Sequence, residues 1–378
     1  MIRAALLICS AVMALHQAPA APAAPGAPAA PGTPAAPGAP AAPGTPAAPG
    51  APAAPGAPAA PGAPAAPSAP DFATFLEGVR VDALARGISP DTVHRALHNL
   101  EPNPTVIERD RTQTEVVLTV EQYVQRRLTR PLVRTARQMA TKHRDLLARV
   151  GSAYGVSPRV IVSIWGLESN FGRFSGVRPT IQALATLAWE GRRGAFFRGE
   201  LLEALTIVDR GYIGLEQLRG SWAGAMGQPQ FMPSSYMNFA QDFDGDGDRD
   251  IWRSEADIFA SIANYLKEHG WSAGTTWGRE VRLPAGGPDA LRNTVGLRSE
   301  GCRAEREMTR QLPLEKWQTL GVRTTTGGAL PAVPLDASMI HTGKRAFLVY
   351  GNYEAILKYN CAHSYALAVA LLSNQLGA

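Results

Sequence analysis

Residues 21–62 read Ala/Thr-Pro-Ala-Ala-Pro-Gly seven times, and an eighth copy ends in Ser68 instead of glycine. Proline at every third position fixes φ and removes backbone donors, which closes the routes into helix and sheet. The segment is expected to be a disordered, solvated polyproline II linker over 21–70. Glycine recurs every sixth residue and not every third, which excludes a collagen triple helix. Eighteen of the 31 prolines lie between Pro19 and Pro70, so residues 71–378 keep an ordinary composition and enough length for one large domain or a few small ones. Two readings of the repeat stand side by side: a spacer that lets a folded domain reach its substrate, and a low-complexity tail with no partner.

Ahead of the repeat, Arg3 and the apolar run Ala4–Leu15 have the layout of a secretory signal peptide, with Ala18-Pro19-Ala20 as a cleavage site near residue 20. Export to the periplasm is the expectation. Ile8 stands where a lipid-attachment signal at Cys9 needs a small residue, which argues against a lipid anchor. After Leu15 no apolar run approaches the roughly 18–20 residues of a spanning helix, which excludes a polytopic membrane protein. Cys302 and Cys361 form an isolated pair. In an oxidising compartment they are a disulfide candidate, the alternative being two unpaired buried thiols. Without a CxxC there is no support for a zinc knuckle. Net charge is +5 and the pI near 9.2 favours an anionic partner, but the basic residues are scattered and no nucleic-acid motif accompanies them.

Beyond residue 70 the pattern is mainly helical. Ser89-Pro90-Asp91 and Ser157-Pro158 read as N-caps followed by proline at the first helical position, and Thr180 reads as the cap of a further helix. Helices are predicted over 254–269 and 364–375. Residues 271–345 are richer in Gly, Pro and Thr, and short runs at 280–283 and 322–326 suggest strands. The predicted organisation is an N-terminal helical region (71–150), a catalytic core (151–270), a small β-containing insertion (271–345) and a C-terminal return to the core (346–378).

Three segments carry chemistry. In the helix after Pro158, Glu168 lies on the stripe of Ile161, Ile164 and Trp165, seven, four and three residues earlier. A carboxyl on an apolar stripe is desolvated, stays protonated near neutral pH and suits a general acid. The bland alternative is a helix-end glutamate that reaches water. Residues 220–235 hold three glycines and two prolines, a pattern that predicts an irregular wall presenting Ser221, Gln230 and backbone groups to a ligand. Asp242-Phe243-Asp244-Gly245-Asp246-Gly247-Asp248 matches an EF-hand calcium loop at positions 1, 3, 5 and 7, with glycine at 6. Arg253 stands at position 12 where the closing glutamate belongs, so Glu255 or Asp257 must close the loop, or binding is weaker. The chain has no Walker A sequence, G-x-S-x-G elbow or H-E-x-x-H.

In combination these motifs resemble the lytic murein transglycosylases of the membrane-bound B type. The resemblance runs over about 71–378 and rests on Glu168-Ser169-Asn170-Phe171-Gly172, Gly224-Ala225-Met226-Gly227, Gln230-Phe231-Met232-Pro233-Ser234-Ser235, the acidic loop, Ala263-Asn264-Tyr265-Leu266 and Tyr359-Asn360, in the family's order. It implies a mainly α fold: a lysozyme-like helical core with an EF-hand-like loop and a small β-containing insertion. It implies Glu168 as the single acid/base, which cuts between N-acetylmuramic acid and N-acetylglucosamine and leaves a 1,6-anhydro end. Tyr123, Ser221, Gln230, Tyr265, Tyr359, Asn360 and Tyr365 match substrate-contacting or acid-orienting positions. Asp242, Asp244, Asp246, Asp248 and Asp257 match the metal set, with Asp257 as the closing carboxylate after a one-residue insertion. The implied cofactor is structural calcium, none being needed for the chemistry. The implied partners are peptidoglycan strands and cell-wall synthesis or hydrolysis proteins, without nucleic acid, for a monomer. The rival readings are a hydrolytic muramidase, which needs a second acid near Glu168 that the neighbouring sequence lacks, and a non-catalytic wall-binding protein.

Overall fold

The computed structural model describes residues 71–112 and 118–377, so the expected signal peptide and repeat linker lie outside the described residues. Helices begin where short polar side chains stand. Asp71 caps α1 (Phe72–Ala85), its Oδ1 accepting the Thr74 N–H at 2.9 Å. Ser89 caps α2 (Pro90–Leu97) in the same way, with Pro90 at the position where a missing N–H is no loss. After α3 (Pro104–Thr112), a reciprocal capping box of Thr119 and Gln122 opens α4 (Val120–Arg127). Thr129 caps α5 (Arg130–Lys142), and α6 (Arg144–Tyr154) leads to α7 (Pro158–Ser169).

Two predicted caps differ. Ser157 holds the N-cap position of α7 without a side-chain cap bond, and Thr180 is the first residue of α8 (Thr180–Glu190), not its cap. The start of α8 is fixed instead by β1 (Arg178–Pro179) pairing with β2 (Arg219–Gly220), because the Thr180 N–H is taken by the Leu218 carbonyl at 3.1 Å. The chain continues through α9 (Gly194–Asp209), the irregular segment at 220–232, α10 (Pro233–Phe239), the acidic loop and α11 (Glu255–Glu268), which Ser254 caps. Pro233, Ser234 and Ser235, predicted to end an irregular wall, open α10: proline at a first helical position starts a helix as readily as it breaks one.

The helices bury two adjoining apolar cores. In one, Ile161, Ile164 and Trp165 of α7 meet side chains of α5, α6 and α11 together with α15 (Gly351–Tyr359) and α16 (His363–Gln375). In the other, α1, α2 and α3 pack on α8, α9 and the segment holding Trp222 and Phe231. Residues 71–150 are therefore divided, α1–α3 with one core and α4–α6 with the other, and do not form a layer of their own.

The insertion is a five-stranded antiparallel sheet in the order β4-β6-β7-β3-β5, built from β3 (Gly278–Arg282), β4 (Leu312–Pro313), β5 (Arg323–Thr324), β6 (Asp336–Thr342) and β7 (Arg345–Val349). Three helices, α12 (Gly287–Val295), α13 (Arg303–Arg306) and α14 (Leu314–Thr319), join them. Successive strand residues point to opposite faces. Phe347 and Val349 accordingly enter the core of α7, while Ala346 and Leu348 enter a third core with Trp317. Strand β7 crosses the predicted boundary at 345, because a strand buried on both faces lacks the polar alternation that marks strands in sequence. Among the described residues no helix is long and apolar enough to cross a membrane.

Candidate active site

Glu168 sits in the last turn of α7, and the chain reverses directly after it. Asn170, Phe171 and Gly172 have φ of 50°, 59° and 80°, all left-handed. The reversal lays the Phe171 ring back on Trp165, centroids 5.4 Å apart, and over Gly166, where a Cβ would come within 2.6 Å of the ring. Ser169 secures the turn: its Oγ donates to the Trp165 carbonyl at 3.1 Å and accepts the Gly172 N–H at 3.1 Å. The sequence around Glu168 is thus a helix terminator whose residues each hold the acid in place.

The Glu168 carboxyl opens onto a cavity of about 430 Å³ but is otherwise enclosed by protein. Burial pushes its pKa from 4.5 to about 7, against the pull of the Tyr365 hydroxyl and the Arg127 charge. At neutral pH a large fraction is protonated, as a proton donor requires. Tyr123, Tyr359 and Tyr365 all feel its charge, and burial holds each of their hydroxyls above the usual range, so they act as protonated donors, not bases. Tyr359 and Tyr365 stack with centroids 6.3 Å apart.

Of the predicted substrate residues, Ser221, Gln230, Tyr265, Tyr359 and Asn360 line the cavity with Glu168, whereas Tyr123 and Tyr365 stand outside its lining, beside the acid. The Ser221 Oγ accepts the Ala223 and Ala225 N–H groups at 3.3 and 3.1 Å, which leaves its own proton for a ligand. Gln230, at φ 56°, donates to the carbonyls of Gly227 and Ser175. Tyr359 donates to the Pro229 carbonyl and Tyr265 to that of Lys358, both at 2.7 Å, which locks each ring in the wall. Gly224, at φ 87°, packs so closely on Leu184 that a Cβ would come within 2.3 Å.

Sequence reading missed three groups at this site. Glu200 and Glu305 bring further carboxyls to the cavity wall. Both are engaged: Glu200 accepts the Ser234 N–H and hydroxyl at 2.9 and 2.7 Å, and Glu305 takes the Lys358 ammonium at 2.9 Å and the Cys302 N–H at 2.8 Å. Gln228 is the third; it accepts the Trp165 indole N–H at 2.6 Å and so ties the wall to the acid's helix. No local spacing marks these residues, because each depends on a distant element. Cys302 and Cys361 are disulfide-bonded and line the same cavity, joining the insertion to the loop of Asn360.

In the acidic loop, carboxylate oxygens of Asp242, Asp244, Asp246 and Asp257 lie within 4.8 Å of one another. The Asp248 carboxylate is not among them, consistent with a position that uses its backbone carbonyl in loops of this kind. Asp257 is buried and closes the loop from both sides, accepting the Phe243 and Asp250 N–H groups at 2.8 Å each. Burial raises its pKa, and the charges of Asp244 and Asp242 add to the rise. Hard, converging oxygen donors with unoffset negative charge fit a divalent cation such as calcium.

Residues 71–374 match the family described as the transglycosylase SLT domain. The membrane-bound lytic murein transglycosylase B of Escherichia coli (strain K12) is 34% identical over 234 residues, 60% of this chain and 59% of that protein. The chain thus spans less than two thirds of that curated relative. Among solved structures, SltB3 of Pseudomonas aeruginosa in complex with NAG-anhNAM-pentapeptide is 43% identical with a TM-score of 0.73, covering 81% of this chain and 79% of its own. Slt35 of Escherichia coli in complex with calcium is 27% identical with a TM-score of 0.66, covering 82% and 93%.

Proposed function

The chain belongs to the transglycosylase SLT domain family, and from that premise we propose that it is a lytic murein transglycosylase with Glu168 as its one acid/base. The observation that carries this reading is a single carboxyl, raised to about 7, in a cavity whose other carboxyls are committed elsewhere. Glu168 gives its proton to the oxygen of the bond between N-acetylmuramic acid and N-acetylglucosamine, and that bond breaks. The resulting carboxylate then takes the proton of the muramic C6 hydroxyl as that oxygen closes onto C1. One proton leaves Glu168 and one returns, no water is consumed, and no second carboxylate is needed, unlike ordinary glycoside hydrolysis. Ser221, Gln230 and Asn360 supply polar contacts to the sugar and its N-acetyl groups, and the faces of Tyr265 and Tyr359 pack on its apolar side.

The first step needs a protonated Glu168, so turnover of purified murein is expected to fall as pH rises through about 7. A pH–rate profile checks this; activity undiminished to pH 9 would contradict the assignment.

Calcium held by Asp242, Asp244, Asp246 and Asp257 belongs to the same proposal, as a structural ion that offsets the loop's charge and takes no part in the reaction. Calcium at about a hundred times its dissociation constant is expected to stabilise the fold by about 2.7 kcal/mol. Thermal melts with calcium or chelator measure it, and Asp257→Asn is expected to abolish the response. Export to the periplasm, with the Ala-Pro-Gly repeat as a spacer, completes the reading.

A further inference from the structure

We propose that Arg127 is a positioning residue for this reaction: from α4 it holds the end of the Glu168 helix and fixes the charge that the acid faces. The inference rests on the reading of Glu168 as the acid/base. Its first observation is a hydrogen bond. The Arg127 guanidinium donates through Nη2 to the carbonyl of Leu167, the residue before Glu168. That carbonyl is one of the last in α7, where intrahelical partners run out. The Phe171 N–H, which would serve it in a continuing helix, bonds the Trp165 carbonyl instead because the chain has turned left-handed. Arg127 therefore completes the helix end that the reversal at Asn170 leaves open, and a cation there also suits the helix dipole.

The second observation is charge. Tyr123 and Arg127 are one helical turn apart on α4, and the Tyr123 hydroxyl senses both Arg127 and Glu168. The other groups facing Glu168 are the neutral hydroxyls of Tyr365 from α16 and Tyr359 from α15. Of the elements that also pack on α7, the junction of α5 and α6 sets the His143 ring edge-on to Trp165, and α11 brings Tyr265 to the cavity lining. The remaining charged groups of the cavity lining are Glu200, Glu305, Arg193 and Lys358, with Glu200 held by Ser234 and Glu305 paired with Lys358. The positive charge acting on Glu168 is that of Arg127, and it opposes the effect of burial. Among the described residues its buried Nε has no hydrogen-bond partner, and the guanidinium is held by the helix end and by the Tyr123 hydroxyl beside it. The consequence is a balance: burial keeps the proton on the acid, and Arg127 keeps it transferable.

The test compares pH–rate profiles of the whole protein on purified sacculi for wild type, Arg127→Gln and Arg127→Lys, with Glu168→Gln as reference. Arg127→Gln is expected to move the alkaline limb upward by about one pH unit and to lower kcat more than KM. Arg127→Lys restores the charge without the fork and is expected to return the limb to the wild-type pH at a reduced rate. If Arg127→Gln turns over too slowly to profile, the Glu168 carboxyl band in infrared difference spectra, taken against the same variant carrying Glu168→Gln, reports the titration directly. An unmoved limb and band in Arg127→Gln, with Glu168→Gln inactive, would overturn the proposal and leave the acid in place. Full activity in Glu168→Gln would remove the underlying reading, and this proposal with it.

Discussion

Glu168→Gln is expected to reduce murein cleavage by about 10³- to 10⁴-fold or more, since one group supplies general acid and then general base catalysis. The amide keeps the shape of the side chain and leaves the Ser169–Trp165–Gly172 bonds intact, so the loss reports chemistry and not the fold. Stability is expected to move the other way. The native carboxyl has a pKa near 7 against 4.5 when exposed, so the native state binds protons more readily than the unfolded chain. The penalty for ionising it is absent below pH 4.5, grows as pH rises toward 7 and is complete above. The amide never ionises. The variant should therefore melt above the wild type at pH 8, and this advantage should fade as pH falls from about 7 to 4.5 and be gone below that. A dead enzyme that is also less stable at pH 8 would mean that Glu168 serves the fold first.

Trp165→Ala is expected to destabilise the protein by about 3–5 kcal/mol, the range for emptying a buried aromatic site. Trp165 is 3% exposed and its ring meets Phe171, Phe259 and His143 at centroid distances of 5.4, 5.0 and 5.6 Å. Its indole N–H is also the partner of Gln228, whose amide holds the Trp252 carbonyl at 2.9 Å. Truncation opens a cavity under the acid and leaves a polar group of the wall unpaired. Trp165→Phe keeps most of the packing and is expected to cost about 1–2 kcal/mol through the lost hydrogen bond. Urea unfolding of both variants checks the pair, and equal losses would show that the indole bond, not the ring volume, carries the effect.

How far the sequence speaks depends on how local each feature is. The cap at Ser89, the helix that begins at Ser254–Glu255 and the helix of Glu168 are local patterns, and each folds where its residues predict. Thr180 fails as a cap because its N–H is claimed by Leu218, 38 positions along the chain. The strand at 345–349 is hidden because both of its faces are buried, and a continuous apolar run reads alike as strand or helix. Within the site, Glu168 is legible from its stripe, whereas Arg127, Glu200, Glu305 and Gln228 acquire meaning only once distant elements meet around the acid. The motif thus singles out Glu168, and tertiary packing supplies the groups that surround it.

The proposed reaction cuts its glycosidic bond without water. The direct measurement is mass spectrometry of the products released from purified murein sacculi by the wild-type protein, in water enriched in oxygen-18. The account predicts anhydromuropeptides, lighter by one water than hydrolysed ones and free of the label. Labelled products with reducing ends would contradict it and turn attention to Glu200 as a second carboxyl in the cavity.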